Sequence, residues 1–211
     1  NNGFVEGGEG TANLNQPNTV WVGGIVAYLD GASSINSCTN SGEIFNNHWA
    51  NRDSNAYDGP LCGCIAGIVY GTSDSIIEVS GCTVTSDAYI RTRRGTAGTV
   101  VGSAIYASVT NCTSAAEMDS AGSAQAGFNF GGIAGIAQNS TISGCTYSGT
   151  TISSTNTKVG GGIVGKVLAG TTTIENCSSY LNSVAGSGNK GGVVGSSVDG
   201  TTITGCHYTT A

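Results

Sequence analysis

Charge is what this 211-residue chain has least of: Asp, Glu, Lys and Arg make up 9% of it, where an ordinary domain carries about 25%. Only 7 side chains are Lys or Arg, against 13 Asp and Glu, and the formal net charge is −6. That excludes a nucleic-acid surface or a patch for anionic lipid, both of which need clustered basic residues. Aromatics are also few, at 7%. With so much Gly, Ser, Thr and Asn in their place, a helical protein is excluded, because those four residues are poor helix formers. Long apolar runs are missing too. The uncharged stretch from Ser120 to Thr157 is full of Ser, Thr, Asn and Gln, so no membrane insertion is expected of it. The chain starts at Asn1 with no signal peptide, which reads as a mature or excised piece of a longer precursor. Catalytic signatures are equally lacking: no His-Glu-x-x-His, no Gly-x-Ser-x-Gly nucleophile elbow, and no phosphate loop with its Lys. The expectation is a protein that is not an enzyme and carries no cofactor and no metal.

What the chain has is glycine, 35 residues of it, and a repeat. Two small residues, an aliphatic pair and a further small residue, followed after a gap by Cys, recur six times. The pattern reads Gly23-Gly24-Ile25-Val26-Ala27 with Cys38 and Gly63-Cys64-Ile65-Ala66-Gly67 with Cys82. It continues as Gly98-Thr99-Val100-Val101-Gly102 with Cys112 and Gly131-Gly132-Ile133-Ala134-Gly135 with Cys145. Gly161-Gly162-Ile163-Val164-Gly165 with Cys177 and Gly191-Gly192-Val193-Val194-Gly195 with Cys206 complete it. The starts are spaced by 40, 35, 33, 30 and 30 residues. Three residues before each Cys stands Ile35, Val79, Val109, Ile142, Ile174 or Ile203, and immediately before it Ser37, Gly81, Asn111, Gly144, Asn176 or Gly205. Gly and Asn exchanging at one position mark a left-handed backbone; Ser37 is the exception. A unit this short cannot bury its apolar side alone, but stacked copies can.

The fold expected is therefore all-β, a right-handed parallel β-helix (β-solenoid) of about six coils with roughly 30 residues per coil, its handedness taken from that of parallel crossovers. Residues 21–211 form the single solenoid domain, and residues 1–20 are a candidate N-terminal cap. The small residue at 26, 66, 101, 134, 164 and 194 is expected on the face opposite the aliphatic residue before it, with the choice of core face open.

These units resemble the GLUG-motif repeat proteins, most closely at Gly161–Gly165 with Ile174-Glu175-Asn176-Cys177 and at Gly191–Gly195 with Ile203-Thr204-Gly205-Cys206. The resemblance spans residues 22–211. It implies a scaffold on a bacterial cell surface or in secreted, often adhesin-like proteins, and carries no catalytic site to transfer. Ala27, Cys64 and Thr99 depart from the pattern's glycines.

Eight cysteines in an extracellular protein ordinarily mean disulfides. Here Cys38, Cys82, Cys112, Cys145, Cys177 and Cys206 share one repeat position, so stacking would place them about 4.8 Å apart with parallel side chains, poor geometry for bridging. They are expected as a structural ladder of free buried thiols, with bridges between adjacent coils as the alternative. Cys62 and Cys64 lie outside the ladder. They read as small core residues or one local bridge, and with His48 they supply at most three metal ligands where four are wanted.

The longest return between units, Glu43 to Pro60, carries His48, Trp49, Arg52, Asp53, Tyr57 and Asp58, and the next, Thr85 to Ala97, carries Tyr89, Arg91, Arg93 and Arg94. Both fill the same slot and should lie side by side. Aromatic faces beside Arg and Asp suit a surface glycan or a host or neighbour-cell protein, so these ten residues are the candidate ligand-binding set; the competing role for Trp49 and Tyr57 is to pin the insertion to the wall. The acidic residues share no repeat position. Thr171–Thr173 and Thr201–Thr204 raise a hydroxyl array for ice or crystal surfaces that the first three coils lack. The functional expectation is a non-enzymatic, adhesin-like module, extracellular or on the cell surface; the alternative is a subunit that self-associates end to end into a filament.

Overall fold

In a computed structural model of the chain, residues 3–7, 20–47, 60–120, 128–153 and 157–210 are described. Their 30 short strands, with no helix among the described residues, form five parallel sheets of six strands each, a parallel β-solenoid of six coils. Sheet A holds Phe4–Gly7, Glu43–Asn46, Tyr89–Thr92, Glu117–Ser120, Thr151–Ser153 and Ser183–Val184. Sheet B holds Trp21–Gly23, Leu61–Gly63, Thr96–Gly98, Phe128–Gly131, Thr157–Gly161 and Asn189–Gly191. Sheet C holds Val26–Asp30, Ala66–Tyr70, Val101–Ile105, Ala134–Gln138, Val164–Val167 and Val194–Ser196. Sheet D holds Ser34–Asn36, Ile77–Ser80, Ala107–Thr110, Thr141–Ser143, Thr172–Glu175 and Thr201–Thr204. Sheet E holds the two-residue strands Thr39–Asn40, Thr83–Val84, Thr113–Ser114, Thr146–Tyr147, Ser178–Ser179 and His207–Tyr208. Each coil thus takes five strands, more than the two β segments the repeat suggests.

The repeat's glycines are explained by two different collisions. At the first position, Gly23, Gly63, Gly98, Gly131, Gly161 and Gly191, an added Cβ would overlap the carbonyl oxygen three residues on in the same coil. The corner from sheet B to sheet C therefore demands glycine in every coil, end coils included. At the fifth position the obstruction is the preceding coil: a Cβ on Gly102 would strike the Gly67 carbonyl, and one on Gly135 the Gly102 carbonyl. Ala27 belongs to the first coil, where no described strand of sheets B and C precedes it, so the alanine is accommodated.

The same corner corrects one expectation. The aliphatic pair does not split between faces: Ile65 and Ala66, Val100 and Val101, Ile133 and Ala134, and Ile163 and Val164 are all buried in the one core. Both members turn inward because the chain bends between them, the Ile65 and Ala66 N–H groups donating together to the Val100 carbonyl at 3.1 and 3.0 Å. A second, smaller cluster of Leu61, Ile68, Ile105 and Ile136 lies on the other side of sheets B and C. In the first coil the equivalent positions hold Trp21 and Tyr28, stacked at 4.7 Å. Each fully buried aliphatic side chain in these columns contributes about 1.5–3 kcal/mol.

The bend before each ladder cysteine is left-handed in all six coils, with φ of 55° at Ser37, 60° at Gly81, 53° at Asn111, 62° at Gly144, 53° at Asn176 and 61° at Gly205. Ser37 adopts it despite its poorer fit. Ser37→Gly is expected to raise stability by about 1 kcal/mol, read as a higher Tm, while Asn176→Ala loses a similar amount.

Of the candidate N-terminal cap, Phe4–Gly7 adds a strand to sheet A, pairing with Glu43–Asn46 so that Val5 stands beside Ile44. Residues 8–19 lie outside the described residues.

Candidate functional site: the outer face of sheet A

Alternation on the sheet-A strands separates two faces. Ile44, Ile90, Met118 and Ile152 form one inward column, all buried. The residues between them face outward in two ranks, Phe4, Glu43, Tyr89 and Glu117 in one and Glu6, Phe45, Arg91 and Asp119 in the other. The sequence places Tyr89 and Arg91 in a loop; the structure places them on a strand, directly beside Glu43 and Phe45. A rigid parallel sheet holds the aromatic and charged groups of three successive coils in fixed register.

Arg91 is exposed, with its guanidinium carbon 5.7 Å from the Tyr89 ring centroid. Arg93 lies 5.9 Å from the centroid of Phe45, so both cations rest near aromatic faces. Burial first, and then the Asp119 carboxylate, raise the pKa of the Tyr89 hydroxyl, against a hydrogen bond from Arg91 that lowers it. At the rim, Asn47 donates to the Glu6 carboxylate at 2.9 Å and Thr150 to Glu117 at 2.8 Å. Arg94 departs from the candidate set. It is 8% exposed, because the chain turns inward after Thr92, whose hydroxyl donates to the Arg94 carbonyl at 2.6 Å. His48, Trp49, Arg52, Asp53, Tyr57 and Asp58 lie outside the described residues.

Sequence reasoning missed Phe45, Glu43, Glu117 and Asp119 as members of this face. Two of the acids do share a register: Glu43 and Glu117 occupy one rank on either side of Tyr89. The signal that reveals them is the aligned column Ile44, Ile90 and Met118, which is not part of the glycine–cysteine motif.

The six-thiol ladder runs along the inside of the bend before sheet E. All eight cysteines are free; Cys82, Cys112, Cys145 and Cys177 are buried and the end members Cys38 and Cys206 half-buried. Each thiol of the second to sixth coils faces a carbonyl of the coil before, such as Cys112 to Val79 at 3.7 Å and Cys145 to Val109 at 3.5 Å. Hydrogen bonds to Cys112 and Cys177, and then burial, push Cys145 well above the ordinary thiol range. Cys62 and Cys64 point into the core and are fully buried; burial raises Cys62 to about 12. Access decides which of these thiols a reagent meets, so a soluble alkylating reagent is expected to modify the half-buried Cys38 and Cys206 in the folded protein and the six buried thiols only in denaturant, counted by mass spectrometry. Among the described residues no three His, Cys, Asp or Glu side chains converge as metal ligands.

The hydroxyl array has a wider base than the sequence indicates, since Ser34 and Ser108 share a rank with Thr141, Thr173 and Thr202. Glu78 interrupts that rank and Glu175 the adjacent one, so the outer face of sheet D is not a continuous hydroxyl plane.

Fold and side chains together define a cysteine-laddered parallel β-solenoid with one aromatic and charged outer face. Comparison with protein-family models, with curated proteins and with solved structures returns no match.

Proposed function

We propose that the chain is a non-enzymatic β-solenoid module of an extracellular or surface-exposed, adhesin-like protein, holding a glycan on the outer face of sheet A across its first three coils. The observation that carries this is Arg91 poised over Tyr89 on a rigid strand, flanked in register by Phe45 and Asp119. An aromatic ring offers a platform to the apolar face of a sugar, and Arg and carboxylate groups beside it bind hydroxyls with fixed geometry. The resemblance to GLUG-motif repeats supports a surface scaffold, and the scarcity of Lys and Arg turns the reading away from nucleic acid. Titration of the protein with a panel of neutral and acidic oligosaccharides tests it. Tyr89→Ala and Arg91→Ala are each expected to weaken the best binder about tenfold, 1.4 kcal/mol, with Tm unchanged; Trp49→Ala extends the same test to the neighbouring insertion. Binding unaffected by both sheet-A substitutions, or no binding across the panel, contradicts the proposal.

A further inference from the structure

Each of the first three strands of sheet A carries one ring and one charge on its outer face, and the two trade places from strand to strand. Phe4–Gly7 presents Phe4 and then Glu6, Glu43–Asn46 presents Glu43 and then Phe45, and Tyr89–Thr92 presents Tyr89 and then Arg91. Glu117 and Asp119 follow on the fourth strand, and the fifth and sixth hold Thr151, Ser153 and Ser183 there. Sheet E, by contrast, repeats one residue type outward, with Thr39, Thr83, Thr113 and Thr146 in a single rank. The alternation on sheet A is therefore not a by-product of the repeat.

Neighbouring strands stand about 4.8 Å apart along the solenoid axis, and the two outward positions of one strand about 6.6 Å apart across it. Phe4, Phe45 and Tyr89 thus trace a zigzag along the axis, with a charged group on the opposite side at each step. Phe45 and Tyr89 are half-buried, each with an arginine near its ring, Arg93 and Arg91 respectively, so packing holds both rings in place. Such a row is too long for one sugar. An extended glycan whose sugars are turned over at each linkage advances by close to one coil step of about 4.8 Å per sugar. It carries its hydroxymethyl groups alternately left and right of the chain, the same alternation the face offers. Charge narrows the class further. Glu6, Glu43, Glu117 and Asp119 outnumber Arg91 and Arg93 here, so a chain of uronic acids or sulfated sugars is repelled.

We propose that this face takes a neutral, extended, β-linked polysaccharide laid along the solenoid axis, one sugar over each of the first four strands of sheet A. The proposal rests on the glycan reading above and adds the ligand's charge, shape and direction. Phe4, Phe45 and Tyr89 each meet the apolar face of one sugar, and the charged side chain on the other side of the row bonds its hydroxyls. Asn47 and Thr150 hold the Glu6 and Glu117 carboxylates at the rim, so the row is ordered before a ligand arrives, which lowers the cost of binding.

Calorimetric titration of the chain with β-linked cello-, manno- and xylo-oligosaccharides of increasing length tests this. In at least one series, affinity is expected to rise about tenfold from the disaccharide to the tetrasaccharide and then level off. Malto-oligosaccharides, which curl, and mannuronate oligomers, which add a carboxylate to each sugar of the manno series, are expected to bind about tenfold more weakly than the best extended neutral chain of equal length. Phe45→Ala, shown folded by circular dichroism, is expected to weaken the tetrasaccharide about tenfold; the length series needs no variant. Affinity independent of length, tighter binding of the malto or mannuronate oligomers, or a tetrasaccharide indifferent to Phe45→Ala overturns this proposal and leaves a glycan site at Tyr89 standing. No binding of any oligosaccharide overturns both.

Discussion

Gly98→Ala is expected to cost about 3 kcal/mol or more, which in a chain of this size lowers Tm by roughly 2–4 °C for each kcal/mol. The added methyl would overlap the Val101 carbonyl oxygen in its own coil and the Gly135 nitrogen of the next. Both obstacles are backbone, pinned by the hydrogen bonds from Val100 and Val101 to the Ile133 carbonyl at 3.1 and 3.0 Å, so neither can swing aside as a side chain would. Gly31→Ala is the control. Its φ is +69° and nothing stands within 4 Å of the added atom, so it costs only the left-handed preference, about 1 kcal/mol. Thermal unfolding of the two variants separates the steric cost of the corner from the conformational cost of glycine loss. Equal effects would show that the corner is not as tight as described.

Alkaline pH is expected to unfold the protein well before its backbone chemistry is threatened. Burial raises Cys62 from 9.0 in the open chain to about 12, and raises Cys64 in the same direction with help from Cys62. The protonated thiols are the forms the fold holds. Below pH 9 folded and unfolded chains bind the same protons at these sites, and their contribution to stability is fully present. Above it the unfolded thiols ionise while the folded ones do not, and stability falls until the folded pKa is passed. Each of the two thiols loses about 1 kcal/mol between pH 9 and pH 10, where the unfolded thiol is only partly ionised, together about 2 kcal/mol, and the loss steepens towards about 1.4 kcal/mol per thiol for the next pH unit. Denaturant titrations at pH 7, 9 and 10 are expected to give a flat profile and then a steep fall, and Cys62→Ala together with Cys64→Ala to flatten the fall at the expense of stability at pH 7. A fall that the double substitution leaves unchanged would assign it elsewhere.

The sequence discloses the features that repeat along the solenoid axis. The Gly–Asn exchange before each cysteine marks the left-handed bend, and the shared cysteine position marks the ladder. Both are legible because every coil meets the same steric or packing demand. What it conceals depends on direction within a coil. The bend that turns Ile65 and Ala66 to the same side breaks the alternation from which faces are read, and the two-residue strands of sheet E are too short to show a period. The outer face of sheet A is half legible. Tyr89 and Arg91 stand out as rare residue types in a polar chain, whereas Phe45 and Asp119 become their neighbours only once Ile44, Ile90 and Met118 are aligned across coils whose spacing differs. Arg94 looks like Arg91 in sequence, and only the inward turn after Thr92 takes its side chain from the surface.

Six coils stacked in one register underlie the thiol ladder, the glycine corners and the outer face of sheet A alike, and the two half-buried ends of the ladder allow a direct measurement of that stacking. Spin labels on Cys38 and Cys206, in protein diluted with unlabelled chain, report the distance across five coil steps, which at about 4.8 Å each puts the two backbone positions about 24 Å apart. A single narrow distance near that value is the predicted pulsed-resonance result. A broad distribution, or a separation that five stacked steps cannot span, would contradict it.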